Sequence, residues 1–163
     1  MTKLLRTFLM PVGILLTAGT LLLSACAPKK EQWSNIPEIT FTGLSADSIK
    51  APSTDQILLS FTFKDGDGNL GVPVTSGNKD VYLIDSRDEQ YNLSFFFPQD
   101  ITQYVTAGSA ISGSCNLYIP AAGLELRPDH PLRDTVVYEY YIMDAAGNQS
   151  NHLKTPPIYL QAP

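Results

Sequence analysis

Residues 56–64, QILLSFTFK, put an apolar side chain at every second position: Ile57, Leu59, Phe61 and Phe63. Ser60, Thr62 and Lys64 stand between them. A period of two marks a β-strand with one face in a core, because successive side chains leave a strand on opposite sides. The alternation returns in 134–143, where Val136, Tyr138, Tyr140 and Ile142 oppose Thr135 and Glu139. It returns again in 110–119, where Ile111, Cys115, Leu117 and Ile119 share one parity and Ser112, Ser114 and Asn116 the other. Shorter strand-like runs occupy 38–43, 80–85, 91–97 and 156–161, with Gly, Pro, Asp and Asn between them. Beyond residue 36 no stretch sustains a helical period. These patterns predict an all-β chain: a single antiparallel β-sandwich of about seven strands over residues 37–163. With no helices to cover it, a parallel sheet is not expected.

The stretch DTVVYEYYIMDAAGNQSN (134–151) resembles the last hairpin of immunoglobulin-like or fibronectin-type-III-like domains. Asp134, Val136, Tyr138 and Tyr140 follow the spacing of that family's D-x-G-x-Y-x-C, with valine in place of glycine and tyrosine in place of cysteine. The resemblance implies an immunoglobulin-like sandwich without the inter-sheet disulfide, and it makes Tyr138 the tyrosine-corner residue.

The N-terminus is the most specific motif. Lys3 and Arg6 precede the apolar stretch FLMPVGILLTAGTLLL, which ends in Leu23-Ser24-Ala25-Cys26. A charged start, an apolar middle and small residues at the end describe an export signal. Pro11, Gly13 and Gly19 interrupt the stretch, whereas a spanning helix needs about twenty apolar residues. LSAC resembles the lipobox of bacterial lipoproteins, which implies that residues 1–25 are removed and that Cys26 carries acyl chains. Residues 26–36 then form a tether. The lipobox, FKDGDGNLG, PQDIT and the closing AAGNQSN…TPPIYL together resemble Bacteroidota-type surface lipoproteins. That resemblance places the protein in the bacterial envelope as an outer-membrane lipoprotein, on its periplasmic or its surface-exposed face.

The whole chain has 11 basic and 16 acidic residues, a formal charge of −5. Without Lys3 and Arg6 the charge is −7. Such a balance argues against nucleic acid, which needs a basic footprint, and leaves membrane attachment to the lipid. The chain has two cysteines. With Cys26 lipidated, Cys115 has no partner within the chain, and its parity places it in the core as a small apolar residue.

The strand at 56–64 runs into KDGDGNLG (64–71), with Asp65, Asp67 and Asn69 at alternate positions. In the expected sandwich three loops gather at one pole. One carries Asp65, Asp67, Asn69 and Asp80, the second Asp100, and the third Asp144 and Asn148. Crowded carboxylates raise one another's pKa unless a cation neutralises them. Calcium, which takes six to eight oxygen ligands, suits this donor set. The loop is not an EF-hand: Leu70 replaces the loop glycine and Ser76 the bidentate glutamate. The competing reading is a solvated turn, since Asp-Gly and Gly-Asn pairs form turns unaided.

Catalysis is not expected. His130 and His152 lack zinc-ligand spacing to each other and to Cys115, and the common nucleophile, metalloprotease and phosphate-loop motifs do not occur. Consecutive Phe95, Phe96 and Phe97 require at least one outward ring. With Tyr91, Tyr104, Tyr141 and Tyr159 they could form an aromatic surface for a glycan or a protein, unless other parts of the chain cover them. Asp47-Ser48-Ile49, read as a loop, matches a short O-glycan acceptor pattern, and so does Asp134-Thr135-Val136 at a strand entrance. Two functions stay open: a monomeric, non-enzymatic binding module for a glycan or protein, or a structural accessory subunit of a larger outer-membrane complex.

Overall fold

The computed structural model describes residues 33–71, 77–97 and 108–163. The signal segment, Cys26, Ser76, Asp100 and Tyr104 lie outside the described residues.

The chain is all-β. Its strands are β1 (Glu38–Leu44), β2 (Ser48–Lys50), β3 (Gln56–Asp65), β4 (Val81–Asp85), β5 (Leu93–Phe95), β6 (Ile111–Pro120), β7 (Arg133–Val136), β8 (Tyr138–Ile142), β9 (Leu153–Lys154) and β10 (Ile158–Gln161). They form three sheets, ordered β1-β3-β6, β2-β10-β7 and β5-β4-β8-β9. The strand β3 is central to the first sheet. It pairs antiparallel with β6 over its whole length, from Gln56 opposite Pro120 to Asp65 opposite Ile111.

All three sheets contribute to one core. Ile57, Leu59, Phe61 and Phe63 from β3 meet Val81 and Leu83 from β4, Val136 from β7, Tyr138, Tyr140 and Ile142 from β8, and Ile158 and Leu160 from β10. The rings of Phe61 and Tyr140 lie 5.8 Å apart, and Phe63 and Phe97 meet edge-on at 5.0 Å. Each of these side chains is on the inward parity of its strand, so burial of apolar area is what fixes the register. Cys115 is buried among them, and burial pushes its thiol pKa up to about 11.

Several expectations need correction. Among the described residues ten strands replace about seven, because the expected strand 134–143 is split into β7 and β8 and the short strands β2 and β9 lie outside every expected run. The expected strand 134–143 divides at Val137, whose N–H donates to the Ser86 hydroxyl. The next N–H, of Tyr138, donates to the Thr155 hydroxyl. Side-chain oxygens thus carry the ladder across the break. The expected strand 156–161 begins only at Ile158, because Pro156 and Pro157 have no N–H to donate. Ser48, read as part of a loop, belongs to β2. This strand pairs parallel with β10, Ser48 opposite Tyr159 and Lys50 opposite Gln161, so the sheets are not purely antiparallel. Nor is a tyrosine corner formed: the buried Tyr138 hydroxyl makes no hydrogen bond.

Most of the outward aromatics are covered. Lys79 Nζ sits 3.4 Å over the Phe96 ring, and the Arg87 guanidinium 4.8 Å over Tyr91. Tyr141 stacks between Tyr82 and His152. Tyr159 and Tyr118 remain exposed.

Candidate metal centre

Strand parity brings two carboxylates into the interior at one end of the fold. Asp65 continues the inward series Ile57, Leu59, Phe61, Phe63 and is fully buried. Asp144 continues the series Tyr138, Tyr140, Ile142 on the facing sheet and is 1% exposed. Both are the polar last members of apolar rows, and the two rows converge. Asp67 lies one turn further along the loop. One oxygen from each of Asp65, Asp67 and Asp144 lies within 4.8 Å of the others.

The loop between them is tightly built. Gly68 has φ +66, a left-handed conformation that glycine adopts without steric cost, and it turns the chain back so that Leu70 plugs the core. The Asn69 N–H donates to Asp65 Oδ2 at 3.1 Å, and Asn69 Nδ2 donates to Asp67 Oδ2 at 3.1 Å. The Ala145 N–H donates to the Asn69 carbonyl, tying this loop to the turn that follows Asp144. Asp144 organises that turn: its Oδ1 accepts the N–H groups of Ala146 and Asn148, and its Oδ2 accepts Asn148 Nδ2.

After these bonds three buried acceptors are left over. Asp65 Oδ1, Asp67 Oδ1 and Asn69 Oδ1 are closed off from solvent and have no hydrogen-bond donor. All three belong to the D-x-D-x-N run, and all three are oxygens. Among the described residues none of the ion pairs formed by lysine, arginine or histidine reaches Asp65, Asp67 or Asp144. Burial, followed by the Asp67 charge, raises the Asp65 pKa to about 6; the Asn69 N–H partly offsets this and Asp144 adds to it. Buried acceptors without donors and buried charge without a counter-charge each cost free energy, and one cation relieves both. The donors are all oxygens, with no histidine or cysteine, which suits a hard ion. Calcium accepts such oxygens in flexible geometry, whereas magnesium requires a near-ideal octahedron.

Of the residues expected at this pole, Asp65, Asp67, Asn69 and Asp144 come together. Asp80 does not join the three clustered carboxylates. It is fully buried, and its Oδ2 accepts the Phe97 N–H at 2.8 Å, fastening the end of the Phe95–Phe97 run to β4. Asp100 lies outside the described residues.

Sequence reasoning missed a second charged cluster, which is structural. Arg87, with a side chain 3% exposed, bridges Asp85 at 2.7 Å and Asp134 at 2.9 Å, and Arg127 binds the other Asp134 oxygen at 2.8 Å. Burial would raise the Asp134 pKa. The guanidinium groups of Arg127 and Arg87, with the N–H groups of Thr135 and Arg127, outweigh it and hold the carboxyl well below the usual carboxylate range. The available signal was parity: Asp85 and Asp134 occupy inward positions of β4 and β7. Every carboxylate oxygen here is used by a donor, which is the opposite of the situation at Asp65.

His152 is paired with Glu139, and His130 lies 3.5 Å from Asp129. No family model, curated protein or solved structure matches the chain.

Proposed function

We propose that this chain is a lipid-anchored, non-enzymatic envelope protein whose immunoglobulin-like domain binds calcium at one end and uses that end to engage a glycan or a protein. The observation that carries the calcium reading is the set of three orphaned, buried oxygens of Asp65, Asp67 and Asn69, in a loop whose two carboxylates cluster with that of Asp144. Support for the immunoglobulin-like assignment comes from strand order. A sheet β1-β3-β6 faces two sheets that share the broken strand β7–β8, and the early strand β2 adds in parallel to the last strand. Anchoring rests on the LSAC motif at Cys26. A calcium-rigidified loop pole is a suitable recognition surface, since loops carry binding residues when a scaffold holds them in place.

The test is thermal melting of metal-stripped protein with and without calcium. A ligand that binds the folded state alone raises the midpoint by mass action, by about 2.7 kcal/mol of stability at one hundred times Kd. Asp144→Ala and Asp67→Ala should each abolish the rise. An unchanged midpoint in the unaltered protein would rule calcium out and leave the loop as a polar turn.

A further inference from the structure

The N-terminal segment ahead of β1 is built into the candidate metal loop. The Gly66 N–H donates to the Ser34 carbonyl at 2.8 Å, and Gly66 lies between Asp65 and Asp67 in the chain. A Cβ at position 66 would stand 2.4 Å from the Trp33 carbonyl oxygen and 2.6 Å from that of Ser34. Both carbonyls are therefore seated in the space left by the missing side chain. The Ser34 hydroxyl accepts the Ile36 N–H, so the segment bends where it meets the loop. Trp33 also lines a cavity of about 380 Å³ with Phe63, Lys64 and Gly113.

This arrangement makes Gly66 a hinge shared by two contacts. Its flanking carboxylates converge on Asp144, with the fully buried Asp65 Oδ1 left without a donor, and its own amide holds the segment. We infer that a divalent cation bound by Asp65, Asp67 and Asp144 clamps the segment Trp33–Ser34 onto the loop, so that calcium binding and docking of this segment are thermodynamically linked. The inference rests on the calcium reading given above. Without the cation, repulsion among three carboxylates pushes Asp65 and Asp67 away from Asp144, and Gly66 moves with them. With it, the loop is held in the form that accepts Ser34. Linkage is reciprocal, so undocking the segment must weaken calcium by the factor by which calcium strengthens docking. In the sequence the segment lies between Cys26 and β1, and the cation would thereby set how much of that stretch is free of the domain.

The experiment uses the full chain in detergent. Calorimetry measures calcium binding, and acrylamide quenching follows Trp33, the only tryptophan in the chain. Calcium should lower the quenching of Trp33, and Gly66→Ala should make quenching insensitive to calcium while weakening calcium about tenfold, within the range usual for coupled sites. Calcium that binds with heat while Trp33 quenching stays unchanged overturns the clamp and leaves the metal site standing. A quenching change with full affinity retained in folded Gly66→Ala also overturns it, because reciprocity fails. No calcium binding at all removes the site and the clamp together. If Gly66→Ala does not fold, quenching in the unaltered protein decides.

Discussion

Gly113 stands directly opposite Phe63 in the β3–β6 ladder, and the Phe63 ring occupies the place a side chain at 113 would need. A Cβ there would lie 2.9 Å from the ring's Cζ and 3.1 Å from a Cε. The same ring meets Phe97 edge-on. Glycine, poor in strands for its flexibility, is used here to admit an aromatic residue at the end of the core.

Gly113→Ala should therefore destabilise the fold by about 1–3 kcal/mol, the usual cost of overpacking. The ring must shift towards Phe97, and the small gain from a stiffer strand residue does not offset that. Urea unfolding checks it: the midpoint should fall with the slope unchanged.

The Arg87 cluster predicts a larger loss. Arg87→Ala leaves buried Asp85 without a cation and Asp134 with Arg127 alone, and breaking such a pair costs about 3–5 kcal/mol. Arg87→Lys should recover only part of this, because one ammonium cannot reproduce the forked contacts to Asp85 and Asp134. The pH dependence has a definite sign. Asp134 has a lowered folded pKa, so its contribution is complete above the ordinary carboxylate value near 4 and is lost as pH falls below it. Acid unfolding followed by circular dichroism should show a loss in the unaltered protein that is absent in Asp134→Asn.

At the metal loop the sign is reversed. The Asp65 pKa is raised to about 6 in the metal-free protein. The folded state then binds more protons than the unfolded one between about pH 4 and 6, and metal-free stability should fall as pH rises through that window. Calcium should remove this dependence, and calcium affinity should drop below about pH 6 as protons compete for the same oxygens. Thermal melts across pH with and without calcium measure both effects.

Asp65→Asn separates charge repulsion from metal binding. It removes a buried negative charge beside Asp67 and Asp144 while leaving an oxygen for the Asn69 N–H. Stripped of metal, the variant should melt above the unaltered protein. In calcium it should melt below, having lost the stabilisation by the ion. A variant that is less stable in both conditions would contradict the account of the loop.

Cys115 should be inert in the native state, because burial disfavours its thiolate and closes it to reagents. An aromatic disulfide reagent should detect no thiol before denaturation and one after it. A second thiol after denaturation would mean that Cys26 is not acylated.

Legibility in the sequence followed the strength of the period. The runs at β3 and β6 were readable to within a residue or two because their alternation is long, and the shorter runs at β1 and β4 because turn residues bound them. The strand β2 was not, since three residues give no period and its partner β10 lies far along the chain. The break at Val137 depends on hydroxyls of Ser86 and Thr155 supplied from elsewhere, which no local pattern announces. Asp65 and Asp144 were legible together because the loops that carry them gather at one pole of the expected sandwich. That Asp80 would instead fasten Phe97, and that Trp33 and Ser34 would seat on Gly66, depended on contacts between distant segments.

The parallel pairing of β2 with β10 also has a mechanical consequence. A pull on the chain before β1 and an opposite pull after β10 act along these two strands in contrary directions. Because the strands run the same way, the load falls across their hydrogen bonds in shear. Those bonds, including Ala51 N–H to Gln161 and Tyr159 N–H to Asp47, must give way together instead of opening one by one like a zip. Once β1 has peeled from β3, this short strand is the latch that bears the remaining force.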